Sequence, residues 1–193
     1  MSAGPTPAPL DAHPRIEQWI VFEADRRVTV RSGRVEIGQG VSEAVAAIAA
    51  DELDVETGRV GLAAGDTRAS PDEGVTAGSL SIAVGGMAVR WAASAARRML
   101  LARAAELLQS SIDDLTIEDG VVLRAGQDTG LDLWRLSRDV DLSARVVDHA
   151  MPKPAGDRRR VGVPLERRSL VDRVAGGFIH DFAPAGMLHG RAI

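Results

Sequence analysis

Two short stretches of this chain carry residue types able to do chemistry. The first is Gly38-Gln39-Gly40, inside "GRVEIGQGVSEAVAAIAADEL" (33–53), where an alternating apolar pattern stops and a helical one starts. A helix N-terminus presents unpaired backbone N–H groups and the positive end of the helix dipole. Glycines ahead of it let a bulky anion reach the backbone, and the Gln39 amide can both donate and accept. That pattern suits a phosphate or a polar ring system. It also suits a plain turn, with Gly38 or Gly40 at positive φ and Ser42 as the helix cap. The second stretch, "GVTAGSLSIAVGG" (74–86), opens a long helix with the hydroxyls of Thr76, Ser79 and Ser81 around Ala77-Gly78. Gly85 and Gly86 then fall inside the helix, where each costs about 1 kcal/mol relative to alanine. Close approach of a ligand or another backbone would explain that cost; N-capping with helix–helix contact over the glycines is the alternative. Two such helix starts in one small domain favour a ligand with phosphate and pterin-like groups.

The elements that must position these stretches follow from periodicity. Gln18 to Glu23 reads as a strand and Asp25-Arg26-Arg27 as a turn. Val28–Val30 and Arg34–Ile37 alternate with period two around Ser32-Gly33, which predicts a second strand with a bulge. Apolar residues at 41, 45, 48, 49 and 53 predict an amphipathic helix over 41–53, and Arg59 to Asp66 a third strand. Residues 67–79 form a turn-rich loop, and an Ala-rich helix runs from Ser81 to Gln109. Leu115–Arg124 reads as a hairpin turning at Asp119-Gly120, and Leu131–Arg138 as a short helix. The expected fold class is α+β: a two-layer domain in which two helices, one of them long, cover a small mixed β-sheet. The expected organisation is a mobile arm over 1–15, a domain over 16–147, an extended surface linker over 148–173, and the start of a second small domain over 174–193.

Composition narrows the function classes. The chain has 193 residues, 45% hydrophobic and only 3% aromatic, with formal net charge −4. An acidic balance argues against a nucleic-acid or anionic-membrane footprint. The single lysine, Lys153, lies far from the glycines, which excludes a P-loop. The absence of cysteine excludes disulfides and iron–sulfur ligation by this chain. No apolar run approaches a membrane span. The N-terminal residues lack the apolar core of a signal peptide, so a cytoplasmic location is expected, with export alongside a partner left open. His13, His149, His180 and His189 lack metal-ligand spacing, so no metal site is expected. Asp72-Glu73 reads as an exposed turn, with a part in a substrate funnel as the alternative, and Trp91 as core. Arg158-Arg159-Arg160 and Arg167-Arg168 read as a solvated linker or a partner contact.

The stretches "VEIGQGVSEAVAAIAADEL" and "GDTRASPDEGVTAGSLSI" together resemble the molybdopterin-binding subunit of the xanthine dehydrogenase/aldehyde oxidase family. The likeness is to the branch containing isoquinoline 1-oxidoreductase and nicotinate dehydrogenase. The tail "GFIHDFAPAGMLHGRAI" is similar to the opening of that family's hammerhead domain. The resemblance implies contact with the molybdenum cofactor, commonly its cytosine-dinucleotide form, by Gly38, Gln39, Gly40, Thr76, Ala77, Gly78, Ser79 and Ser81. It implies a hydroxylase acting on an N-heterocycle or aldehyde with water-derived oxygen. It also implies two kinds of partner: the remaining molybdopterin-binding segment or subunit, and a [2Fe-2S] subunit that takes the electrons. The family's general-base glutamate lies in a Gly-x-Gly-Glu motif that this sequence lacks, so no catalytic residue is expected here and the isolated chain is expected to be inactive. An expression fragment, a split-gene subunit or a truncated product would each fit. A non-catalytic partner-binding or assembly module with the same fold is the rival reading.

Overall fold

The computed structural model describes residues 5–167, 170–175 and 182–191. Its strands form two three-stranded sheets rather than one mixed sheet. In the first, β1 (Ile20–Phe22) runs antiparallel to β2 (Val28–Ser32), and β3 (Val60–Ala64) runs parallel to β2, with Val30 opposite both Ile20 and Leu62. The parallel pairing requires a crossover, and helix α2 (Val41–Leu53) supplies it. The second sheet is antiparallel: β4 (Leu115–Glu118), β5 (Val121–Arg124) and β6 (Gln127–Asp132). The sequence hides β6 because "QDTGLD" buries only Leu131 and carries Gly130 at positive φ. Helix α3 (Met87–Leu108) follows a π-helical turn over Ser81–Gly86, and α4 (Leu133–Leu136) caps the second sheet.

Two predicted stretches depart from strand. Gln18 closes a 3-10 turn, so β1 starts only at Ile20. The expected continuation Arg34–Ile37 is irregular. There the Arg34 side chain turns inward, 2% exposed, and its backbone N–H bonds Ser32 Oγ instead of a neighbouring strand. The chain therefore leaves the sheet at Gly33, where a Cβ would collide with the Pro71 carbonyl.

The core is aliphatic, as the shortage of aromatics requires. Ala46, Ala49 and Ala50 of α2 and Ala88, Ala92, Ala95 and Ala96 of α3 are buried, so the two helices approach over small side chains. Trp19 is fully buried and its Nε1–H donates to the His13 carbonyl at 2.8 Å. The expected N-terminal arm is docked from Pro7 onward. Helix α1 (Pro9–Ala12) buries Leu10, and the Val146 N–H bonds the Pro14 carbonyl. A single Leu at the centre of a Pro-rich stretch is too little pattern to announce this from sequence.

The stretch after α5 (Val146–His149) also lies closer to the core than a surface linker would. Lys153 is only 8% exposed; its Nζ donates to the Asp51 carbonyl and to Asp54 Oδ1, both at 2.5 Å. The N–H groups of Arg159 and Arg160 both donate to Asp51 Oδ1 at 2.7 Å. Residues 153–167 thus form a strap along α2, held to acidic groups at the helix C-terminus. Beneath it, Glu52 and Arg90 pair at 3.3 Å, both almost wholly buried. Burial pushes the Glu52 carboxyl up and the Arg90 guanidinium down, each held partly back by its partner. In the tail, helix α6 (Leu170–Val174) is followed by exposed Phe182, Met187 and Leu188, and residues 188–191 form no strand. Of the residues that the hammerhead resemblance rests on, 177–181, 192 and 193 lie outside the described set.

Candidate functional site

The two stretches singled out in the sequence meet side by side, although about 40 residues apart. The N–H of Val35 donates to Thr76 Oγ1 at 3.0 Å, and Arg34 Nη1 donates to the Val75 carbonyl at 2.6 Å. Below them, the fully buried Glu73 carboxylate accepts from Ser32 Oγ (2.5 Å) and the Gly33 N–H (2.7 Å). Its other oxygen lies 3.5 Å from Arg34 Nε, and neither of those two atoms has a hydrogen-bond partner. Glu73 is thus a buried tie between the loops, not an exposed turn or a funnel residue. Asp72 stays exposed, and its N–H is pinned to His13 Nε2 at 2.8 Å.

In the first loop, Gly38 and Gly40 have φ of 108° and 79°, values a side chain rarely adopts. Their N–H groups donate to Glu36 Oε1 at 2.8 and 3.0 Å, and the Ser42 N–H donates to Glu36 Oε2 at 3.1 Å. The nest of N–H groups at the start of α2 is real, and the chain's own carboxylate fills it. Ser42 is not the cap; Gly40 occupies that position. Gln39 is held locally: its Oε1 accepts from the Ile37 N–H (2.7 Å) and its Nε2 donates to the Val35 carbonyl (3.0 Å). An amide has two donors and two lone pairs, so one donor and one acceptor remain in a fixed, exposed orientation. Arg167 Nη2 donates to the Gly38 carbonyl at 2.6 Å, bringing the strap's far end onto this loop.

The second loop keeps more of its polar groups unspent. Gly78 and Ser79 both have positive φ. Within Thr76–Leu80, the N–H groups of Ala77 and Leu80 make local turn bonds, to Val75 and Ala77 carbonyls. Ala77, Gly78 and Ser79 are exposed and Thr76 and Ser81 half-buried. The helical glycines have an internal explanation. A Cβ on Gly85 would strike the Glu73 carboxylate, and one on Gly86 would come within 3.0 Å of Ile48 Cδ1. Packing, not ligand approach, accounts for both.

None of the eight residues lines the cavities of about 400 and 390 Å³, although the second lies beside the paired loops, against Gly33, Val35, Glu73 and Gly74. Ile37 and Val75 flank the paired loops 70% and 82% exposed, joined by the lesser exposure of Leu80 and Ile82. Among the described residues no group of three or more His, Asp or Glu is placed to hold a metal, and no helix is long and apolar enough to cross a membrane. The donors that the two loops present fit an organic group with hydrogen-bonding edges and anionic parts. Gln39 offers a donor–acceptor pair, and Thr76 to Ser81 offer hydroxyl and backbone donors. From sequence, Glu73 reads as an exposed turn or funnel residue and Arg167 as a solvated linker or partner contact, while Glu36 and Arg34 carry no site role. Only Glu36 left a signal there, an acidic residue two positions ahead of a Gly-x-Gly helix start.

Residues 3–160 match the molybdopterin cofactor-binding domain model. The chain is 33% identical to a nicotinate dehydrogenase subunit from Pseudomonas putida, over 91% of its own length and 15% of that protein's. It is 30% identical to the 6-hydroxypseudooxynicotine dehydrogenase complex subunit gamma of Paenarthrobacter nicotinovorans, over 68% of this chain and 16% of the relative. Among solved structures, reconstituted CO dehydrogenase from Oligotropha carboxidovorans superposes with a TM-score of 0.53 at 25% identity, covering 61% of this chain and 15% of that one. The chain thus spans about one-sixth of the length of these relatives. With both glycine-flanked loops inside the matched region, the chain belongs to the molybdopterin cofactor-binding domain family of the molybdenum hydroxylases.

Proposed function

We propose that this chain binds and orients the molybdenum cofactor within a hydroxylase that oxidises an N-heterocycle or an aldehyde with water-derived oxygen. The observation that carries the reading is the hydrogen bond from the Val35 N–H to Thr76 Oγ1, which brings the two loops together. When bound, the cofactor supplies the redox centre, as cofactors generally carry the hard chemistry. The chain's own residues bind and orient: Gly38, Gln39 and Gly40 present a rigid amide edge, and Thr76, Ala77, Gly78, Ser79 and Ser81 present donors for anionic groups. The cytosine-dinucleotide form suits a surface with separate polar-ring and phosphate contacts. Because the loops face outward between exposed Ile37 and Val75, a second wall from the remaining molybdopterin-binding segment or subunit completes the site. Electrons leave through [2Fe-2S] clusters on another subunit, since this chain has no cysteine. No proton-transfer base is assigned here, and the 193-residue chain alone is expected to turn over neither substrate class.

Gln39→Ala in the assembled enzyme tests the reading. It should lower molybdenum occupancy while moving stability by about 1 kcal/mol or less, the range for an exposed polar group. Full occupancy in that variant would remove Gln39 from the cofactor contacts.

A further inference from the structure

We infer that Glu36 is a built-in anion that closes the N-terminus of α2 to phosphate and shapes the Gly38–Gly40 loop from within. Both carboxylate oxygens are committed, one to the N–H groups of Gly38 and Gly40 and one to that of Ser42, at 2.8, 3.0 and 3.1 Å. These donors converge as in an anion-binding nest, and Ser42 adds an orphan N–H from the first turn of the helix. A phosphate oxygen arriving there would meet three occupied donors and a fixed negative charge. Glu36 is half-buried, so the carboxylate is not readily hydrated away from its donors.

The consequence for recognition is a division of labour between the two loops. Glu36 holds Gly38 and Gly40 at positive φ, and that backbone course lets the Gln39 side chain fold onto Ile37 and Val35 with one donor and one acceptor outward. The first loop therefore recognises an uncharged hydrogen-bonding edge. Anionic groups go to the second loop, where, among the described residues, the N–H groups of Gly78 and Ser79 and the Ser79 hydroxyl have no hydrogen-bond partner. Glu36 is a positioning residue, acting through Gln39 and the backbone. This division rests on the proposed cofactor-binding role; the closure of the helix end does not.

The test uses the full chain and inorganic phosphate, read by amide NMR. In the wild type, phosphate should leave the Gly38, Gly40 and Ser42 resonances unmoved. In Glu36→Ala the same amides should titrate, with an affinity about tenfold above any wild-type response, the scale of a charge at a helix N-terminus. In Glu36→Gln, which keeps the size and one acceptor oxygen but loses the charge, their hydrogen exchange should quicken about tenfold. Acetate should slow exchange again in Glu36→Ala but not in the wild type. Phosphate shifts of equal size at these amides in wild type and Glu36→Ala would overturn the inference, as would unchanged exchange in Glu36→Gln. Because neither readout needs the molybdenum cofactor, failure here is distinguishable from failure of the proposed function. If Glu36→Ala does not fold, the wild-type titration and Glu36→Gln decide the question alone.

Discussion

Replacing Lys153 by Met asks how firmly the strap is fixed. The methionine keeps the apolar stem and removes only the ammonium, which donates to the Asp51 carbonyl and Asp54 Oδ1 at 2.5 Å. Breaking a buried ion pair by deleting one partner costs about 3–5 kcal/mol, because the other charge is left uncompensated. Here Asp54 is 17% exposed and keeps Arg97 Nη1 at 3.8 Å, which places the expectation near the low end, about 3 kcal/mol. For a chain of this size each kcal/mol lowers Tm by about 2–4 °C, so a fall of about 6–12 °C is expected. Urea denaturation gives the free energy, and a cycle with Asp54→Asn should show coupling of at least about 1 kcal/mol.

The same residue reports on strap opening without mutation. Lys153 is the only lysine, so acetylation localised to it by mass spectrometry reads one amine. A strap held by about 3 kcal/mol should slow that reaction roughly 100-fold relative to an exposed lysine. A loss below about 1 kcal/mol in Lys153→Met, together with labelling at the exposed rate, would refute the reasoning. Residues 153–167 would then be the solvated linker that their composition suggests.

Three further outcomes are expected. Gly33→Ala should cost about 1–3 kcal/mol, since its Cβ meets the Pro71 backbone carbonyl rather than a yielding side chain. Gly156→Ala, with nothing within 4 Å of its Cβ, is the control; equal losses in the two would reject the close-approach explanation of Gly33. Hydrogen bonds from Arg59 hold Asp119 below its ordinary 3.8, so its contribution is present above that value and is lost as pH falls through the lower folded one. Asp119→Asn should flatten this acid limb of stability against pH; an unaltered limb would dismiss the pair as a contributor. Glu52 has the opposite sign: raised above 4.5 by burial, it contributes stability below that value, lost as pH rises through its folded one. Glu52→Gln should remove that decline, and persistence of the decline would assign it to another group.

Much of this molecule was legible because local pattern and tertiary demand agree in its regular parts. Helix α2 spans the predicted 41–53, since Val41, Val45, Ile48, Ala49 and Leu53 are among the residues that face the core. The β4–β5 hairpin turns at Asp119-Gly120 for a double reason: the turn needs positive φ at both positions, and Gly120 lies against the Trp134 ring, where a Cβ would not fit. What stayed hidden was buried charge. Glu73 reads as an exposed turn and Arg34 as part of a strand, yet they are a tie under the candidate site, and Lys153 reads as part of a surface linker although it pins the strap. Periodicity weighs apolar residues and cannot signal a carboxylate buried against a partner some forty positions away in the chain. The same blindness explains the Gly-Gln-Gly loop. Its glycines suit either a plain turn or a nest of N–H groups, and from sequence an external anion is the occupant that such a nest suggests. Glu36, two residues upstream, is close enough to supply that anion itself. Glycines before a helix therefore identify a place where negative charge is wanted, and only the neighbouring acidic residues decide whether a ligand or the chain provides it.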